Sequence, residues 1–324
     1  MLATPEPQGS ESFDPAFRAD VLNGLAEPIP SIPARWLYDR RGSELFDAIT
    51  RLPSYYPTRT ETALLADIAP EVSALVGRGG AVVEFGAGSQ TKTPLLLAAV
   101  KPKAYVPIDI SGDYLKDSAA EVDADHERIA VYPVVADFTK AVHLPEEIAG
   151  LDRLGFFPGS TIGNFVPRSA TDLLRHFRDI LGTGAKLLIG MDRLKPVERL
   201  LAAYDDPEGV TAEFNLNLLH RINRELGADI PVDAFVHQAR WNDMLTRVEM
   251  HLVATRDVEF AIDGRKFAFA KGQSIHSENS HKYGPRGGRL LLLAGGWTPI
   301  REWVAPNGDF AVILAEAQRN RFAP

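Results

Sequence analysis

Residues Ala81–Lys92 read AVVEFGAGSQTK. A β-branched apolar run ends in an acidic residue, turns on Gly86 and Gly88, and leads into a helical segment from about Thr91. A second carboxylate, Asp109, ends the next apolar run, AYVPIDI. This is the layout of a nucleotide-binding first crossover in a parallel α/β sheet, where glycines let backbone approach a ligand and the second carboxylate takes two ribose hydroxyls. A dinucleotide fingerprint G-x-G-x-x-G would require glycine at position 91, and the chain has Thr91 there. The loop therefore favours an adenosyl ligand without a pyrophosphate, with a ligand-free strand-to-helix turn as the competing reading.

Outward from this stretch, short apolar runs alternate with helical segments from about Thr60 to Lys195. The runs are Ala81–Phe85, Ala104–Ile110, Ile129–Ala136, Leu154–Phe157 and Ala185–Met191. Their near-continuous apolar character suits strands buried on both faces. Pro167–Leu181 repeats Leu173, Leu174, Phe177, Ile180 and Leu181 at helical spacing, with Ser169 and Asp172 resembling a capping box. The fold class is α/β, a doubly wound parallel sheet. From about Val197 to His281 the grammar changes. Thr211–Leu226 is helical, with Phe214, Leu218, Ile222 and Leu226 on one stripe. Arg247–Ala254 and Glu259–Ala270 alternate with period two, the latter broken by a turn at Asp263-Gly264, as antiparallel strands would be. This predicts a separate α+β region inserted into the sheet domain. Leu290–Ala294 is helix or strand, and Trp297–Val304 with Asp309–Glu316 forms a terminal strand pair.

The 324 residues are 45% hydrophobic and 24% charged, the balance of a globular chain with a full core. Net charge is −8 and no basic stripe is visible, which disfavours a nucleic-acid partner. The absence of cysteine excludes disulfides, thiolate metal sites and cysteine nucleophiles. The start, MLATPEPQGSESFDPAF, reads as a loose tail rather than a signal peptide, and no run approaches the ~20 apolar residues of a membrane span. We expect a cytoplasmic enzyme without membrane partner.

Ligands of such sheets bind at the carboxyl ends of the strands. Four strand ends offer candidates: the Gly86–Gly88 loop, Asp109, Asp137-Phe138 and the Gly159–Asn164 loop, GSTIGN. Asp109 would bind ribose, and Asp137 the exocyclic amine of adenine with Phe138 beside the ring; Asp137 as a helix N-cap is the alternative. The four together suit a methyltransferase better than a dehydrogenase. Asn164 offers donors and an acceptor to an amino-acid head group, or is an αL turn residue. Tyr38, Tyr55, Tyr56 and Tyr204 either pack half-buried or gather hydroxyls and ring faces around a small cation or zwitterion. In HSENSH (276–281), strand alternation puts 276, 278 and 280 on one face and 281 on the other. A metal site from His276, Glu278 and His281 is then disfavoured, and we expect none. Glu278 and Ser280 on one face could clasp an imidazole through both ring nitrogens, or form a solvated strand edge.

These features together resemble the histidine Nα-methyltransferases of ergothioneine biosynthesis. The resemblance runs from about Pro33 to about Phe310 and is carried by WLYDRRGSELFDAITRLPSYYPTRTE, GSTIGNF, AYDDPEGVTAEFNLNLL and the pair RVEM with SENSHKY. It implies transfer of three methyl groups from S-adenosylmethionine to the α-amine of L-histidine, giving hercynine. The implied fold is a Rossmann-like class I methyltransferase domain (60–196 plus 282–324) and a smaller α+β substrate domain (1–59 plus 197–281), acting as a monomer.

The positions matching the family's histidine site are Tyr55, Gly159, Thr161, Asn164, Tyr204, Phe214, Met250, Glu278 and Ser280. Asn164 and Tyr204 would hold the carboxylate, Glu278, Ser280 and Tyr55 the imidazole, and Tyr38 would lie near the amine. Tyr38 and Asn164 are the expected catalytic pair. Gly86, Lys92, Asp109, Asp137 and Phe138 match the cofactor site. The mechanism expected is in-line displacement by a neutral amine, driven by positioning and desolvation, with the proton leaving to water or a tyrosine oxygen. Three alternatives stand beside it. Met250 and Glu278 argue against a family member acting on tryptophan, tyrosine or an indole precursor. Thr91 argues against a nicotinamide-dependent dehydrogenase, and the complete cofactor set against a non-catalytic amino-acid-binding module.

Overall fold

A computed structural model describes residues 14–88, 91–126 and 128–318. Most of the N-terminal tail and Gln90 of the glycine loop lie outside the described residues. The last three residues of the expected tail instead enter α1 (Pro15–Gly24), where the side chain of the N-cap Asp14 accepts from the Ala16 N–H and Phe17 is fully buried.

Helices α2 (Arg40–Arg51) and α3 (Tyr56–Val76) lead to β1 (Ala81–Phe85), followed by α4 (Thr93–Val100), β2 (Ala104–Asp109) and α5 (Gly112–Asp125). The expected strand Ile129–Ala136 is instead two short pieces, β3 (Ala130–Val131) and β4 (Val134–Val135). Pro133 stands between them and has no N–H for the ladder. Then come β5 (Arg153–Phe157), α6 (Pro167–Leu181) and β6 (Lys186–Asp192). The expected capping box is absent from α6. Val166 is the N-cap, no side chain caps the helix, and Asp172 pairs with Arg175 at 3.1 Å. Pro167 at the first turn, with its fixed φ and missing N–H, sets the start instead.

The remaining elements are α7 (Val197–Tyr204), α8 (Val210–Leu226), β7 (Phe235–Asn242), β8 (Arg247–Ala254), β9 (Val258–Ile262), β10 (Arg265–Phe269), β11 (Ser274–His281), α9 (Pro285–Ala294), β12 (Trp297–Val304) and β13 (Phe310–Ala317). The main sheet has the order β12-β13-β6-β5-β1-β2-β3, with β4 also on β2. Its inner strands are parallel; β13 runs antiparallel to β6, and β12 to β13. Alternate residues of β1 face opposite ways. Ala81, Val83 and Phe85 pack with α6, while Val82 packs with α3 and α4. Burial on both faces explains the apolar run, which Glu84 interrupts as a buried acceptor for the Thr93 and Tyr105 hydroxyls; each fully buried aliphatic contributes about 2 kcal/mol.

A third core joins α1, α2, α7 and α8 to β7–β11, with Phe214, Leu218, Ile222 and Leu226 all inside it. The β9–β10 hairpin turns at Asp263 and Gly264, both at positive φ (49° and 75°), as a two-residue turn of matching twist requires.

In β11 the register slips between His276, paired with His251, and Glu278, paired with Met250. Ser277 is the extra residue, its Oγ 2.6 Å from Asn215 Oδ1 and 3.1 Å from the Met250 carbonyl. The bulge breaks the simple alternation. Glu278 and Ser280 share the face of Met250 and Val248, whereas His276 joins Asn279 and His281 on the face of Arg247, Glu249 and His251. The expectation that 276 lies with 278 and 280 is corrected by this one residue.

Candidate active site

A cleft of about 550 Å³ opens at the carboxyl ends of β1, β2 and β5. Gly86, Gly88, Lys92, Asp109, Asp137 and Phe138 line one end. Gly86 has φ +79°, which only glycine adopts without strain, and a Cβ there would sit 3.5 Å from the Phe138 ring. The loop is pinned by Gly86 N–H and Ala87 N–H, which donate to the Ile108 carbonyl at 2.8 and 3.2 Å. Asp109 accepts from the Ser111 N–H at 2.8 Å, and burial raises its carboxyl above the ordinary value. Asp137 caps no α-helix. It closes a local turn, accepting from the Thr139 N–H at 3.0 Å and hydroxyl at 2.5 Å. Its second oxygen stands 3.9 Å from Arg35 Nη1. A glycine cradle, a carboxylate at the end of β2 and an acid beside an aromatic ring form a donor and acceptor set that fits an adenosyl group.

The opposite end is lined by Tyr38, Tyr55, Gly159, Thr161, Asn164 and Glu278. Asn164 ends a 3₁₀ turn, Thr161–Asn164, and is not at positive φ, so the αL reading falls. Its Nδ2 donates to Glu278 Oε1 at 3.1 Å, and Tyr38 donates to the same oxygen at 3.3 Å. The Tyr38 ring meets Phe46 and Phe214 edge-on, with centroids 5.6 and 5.4 Å away. Tyr55 meets Tyr204 in the same manner at 6.1 Å.

Tyr204, Phe214, Met250 and Ser280 stand just behind this wall rather than in it. Tyr204 OH and Ser280 Oγ are 2.7 Å apart. Three of the four candidate tyrosines thus cluster here. Tyr56 turns away, donating to Asp192 at 2.7 Å and accepting from Lys195 at 2.7 Å.

Burial raises Glu278 to about 7, against the smaller opposing effects of the Tyr38 hydrogen bond and the Lys282 charge. Burial also holds Tyr38, Tyr55 and Tyr204 well above the usual phenol range, so all three remain phenols. Burial thus disfavours a tyrosinate base. Burial alone would raise Asp192 too, but Lys282 and Lys195 hold it below the ordinary carboxylate value.

The residues suspected of metal binding do not converge, because the bulge sends Glu278 to the other face. Glu249, His251 and His276 do approach one another. The histidine rings stack at 4.9 Å, His251 Nε2 lies 3.1 Å from Glu249 Oε2, and His276 Nε2 lies 3.0 Å from the Glu278 carbonyl. Arg247 sits 2.7 Å from Glu249 Oε1. The guanidinium supplies the positive charge that an ion would bring, so the group reads as a hydrogen-bonded cluster.

Two buried residues escape a sequence reading. Glu61, on the packed face of α3, accepts from Lys92 Nζ at 2.6 Å and from the Gly159 N–H at 2.8 Å. It therefore holds Lys92 and the Gly159 loop side by side in the cleft wall. An acid on the Thr58, Glu61, Leu65, Ile68 stripe was the available signal. Lys282 is the second. It follows HSENSH directly, and its side chain is wholly buried.

A family model described as histidine-specific methyltransferase, SAM-dependent, matches residues 17–317. The chain belongs to this family. It is 40% identical over 313 residues to the histidine N-alpha-methyltransferase of Mycobacterium tuberculosis, covering 95% of this chain and 97% of that protein. It is 39% identical over 312 residues to the protein of the same name from Mycolicibacterium smegmatis, covering 94% and 96%. Among solved structures, an S-adenosylmethionine-dependent methyltransferase from Clostridium acetobutylicum aligns with a TM-score of 0.47 at 10% identity, covering 80% of this chain and 92% of that one. The family's dependence on S-adenosylmethionine agrees with the adenosyl-type end of the cleft. No helix among the described residues is long and apolar enough to cross a membrane.

Proposed function

We propose that this chain transfers methyl groups from S-adenosylmethionine to the α-amine of L-histidine, three in succession, to give hercynine for ergothioneine biosynthesis. The convergence of Asn164, Tyr38 and Glu278 at the end of the cleft opposite Asp109 and Asp137 carries this reading. Two like-named relatives at about two-fifths identity support it.

Gly86, Lys92, Asp109, Asp137 and Phe138 hold the cofactor, which supplies an electrophilic methyl carbon. Asn164 and Tyr204 hold the α-carboxylate, and Tyr38 and Asn164 steer the amine. Glu278, Ser280 and Tyr55 hold the imidazole; Gly159, Thr161, Phe214 and Met250 shape the pocket around it. An α-amine has a reference pKa near 8, and an enclosed aromatic pocket favours its uncharged, nucleophilic form. The phenols and the Asn164 amide orient it without accepting its proton as anions, so positioning and desolvation supply most of the acceleration.

We assign residues 60–196 with 282–324 to the cofactor domain and residues 1–59 with 197–281 to the substrate domain; the separate hydrophobic cores among the described residues support this division. The protein works in the cytoplasm as a monomer, without nucleic acid or membrane. Mass spectrometry of histidine incubated with the protein and S-adenosylmethionine tests the reaction. A gain of three methyl groups on the α-nitrogen is expected; no gain, or a gain only on another amino acid, overturns it.

A further inference from the structure

Behind the wall of the cleft, Lys282 Nζ donates to Tyr204 OH at 2.8 Å, to Ser280 Oγ at 2.7 Å and to Asp192 Oδ2 at 2.7 Å. An ammonium has three protons, and all three are spent. Each hydroxyl oxygen has one proton and two lone pairs. Lys282 takes one lone pair from each, and the 2.7 Å contact between Tyr204 and Ser280 takes one proton and one further lone pair. Within this triangle one proton and one lone pair remain, and they fall on different residues; Tyr55, which also hydrogen-bonds Tyr204, competes with a ligand for what Tyr204 has left. Whichever hydroxyl donates to a ligand, the other can only accept.

We propose that Lys282 is a positioning residue that sets these hydroxyls in opposite polarity, Tyr204 donating to the substrate carboxylate and Ser280 accepting from a ring N–H. This rests on the histidine assignment above. A carboxylate has no proton to give, so Tyr204 must donate to it. Ser280 then gives its proton to Tyr204 and keeps one lone pair for the ring. Recognition of the side chain becomes a demand for an N–H donor, met by imidazole and unmet by an isosteric ring without one. Lys282 itself reaches no substrate atom; it acts through the two oxygens.

The test is a double-mutant cycle of wild type, Lys282→Met, Ser280→Ala and the double variant, with kcat and KM for histidine measured separately and S-adenosylhomocysteine affinity as the fold control. Lys282→Met should raise KM for histidine about tenfold or more with a smaller change in kcat and intact cofactor affinity. The double variant should fall within about threefold of Lys282→Met, because Ser280 has lost its set polarity already. An unchanged KM, or penalties that multiply, overturns the proposal. Should Lys282→Met fail to fold, wild type and Ser280→Ala are compared on histidine and 3-(thiazol-4-yl)alanine, whose ring has no N–H. Wild type should prefer histidine about tenfold or more, and Ser280→Ala should shrink that preference to within about threefold. An equal preference in both enzymes overturns the polarity argument. Wild type that methylates histidine while the variants behave otherwise sinks only this inference, whereas wild type inert on histidine sinks the parent assignment with it.

Discussion

Asn164 Nδ2 lies 3.1 Å from Glu278 Oε1, although 114 residues separate them in the chain. Asn164 closes the loop after a strand of the main sheet, and Glu278 lies on a strand of the three-stranded sheet. One cavity wall therefore draws on both regions, and a small zwitterion placed there touches the two at once.

Glu278→Ala removes the acid at the imidazole end. The kcat/KM for histidine should fall about a hundredfold, the scale for leaving a buried polar match unmade, while that for tryptophan should not fall. Affinity for S-adenosylhomocysteine should stay within about twofold, since Glu278 lies at the other end of the cleft. Competition between the two amino acids measures this. An unchanged preference for histidine would show that Glu278 does not read the ring.

The same residue gives a pH signature in stability. Burial lifts the folded-state carboxyl from 4.5 to about 7. Below the lower value it is protonated in both states. Between the two, the unfolded chain releases its proton and the folded chain keeps it, so stability falls as pH rises, by up to about 3 kcal/mol. Glu278→Gln lacks this proton. Its melting temperature relative to wild type should climb between pH 4.5 and 7.5 and level off above, as read by thermal unfolding across that range. A constant difference would refute the raised value.

Asp109→Ala removes the carboxylate at the end of β2. Loss of charge-assisted bonds to ribose should weaken S-adenosylhomocysteine binding about ten- to a hundredfold by calorimetry. Equal affinity would put the adenosyl group elsewhere.

Glu61→Gln breaks a buried ion pair that also anchors Gly159. Lys92 is left as a buried cation without its countercharge, a loss of about 3–5 kcal/mol in stability. Because Glu61 holds both Lys92, assigned to the cofactor, and Gly159, assigned to histidine, KM should rise for histidine and for S-adenosylmethionine together. A rise for one alone would mean that the two anchors work independently.

Much of this was legible in the sequence because one physical signal dominated each element. The strands around Val83 and Ile189 are mostly apolar, since both faces are covered, and Pro167–Leu181 carried helical periodicity over four turns. Reading failed where a single residue overrode the pattern. Pro133 split a strand, Pro167 displaced a capping box, and Ser277 reversed the facing of His276 through a bulge that alternation cannot foresee. The candidate site was legible as residue types and family motifs. Its supports were not. Glu61 and Lys282 act through contacts 98 and 78 residues away in sequence, with Gly159 and Tyr204. Such pairings depend on topology, and no local spacing encodes them.

The most direct measurement is a solved complex with S-adenosylhomocysteine and L-histidine. The imidazole should lie between Glu278 and Ser280, the carboxylate should contact Asn164 and Tyr204, and the α-nitrogen should face the cofactor sulfur. A histidine bound with its ring toward Asp137 or its amine turned from the sulfur, or one bound outside the cleft, would contradict the account.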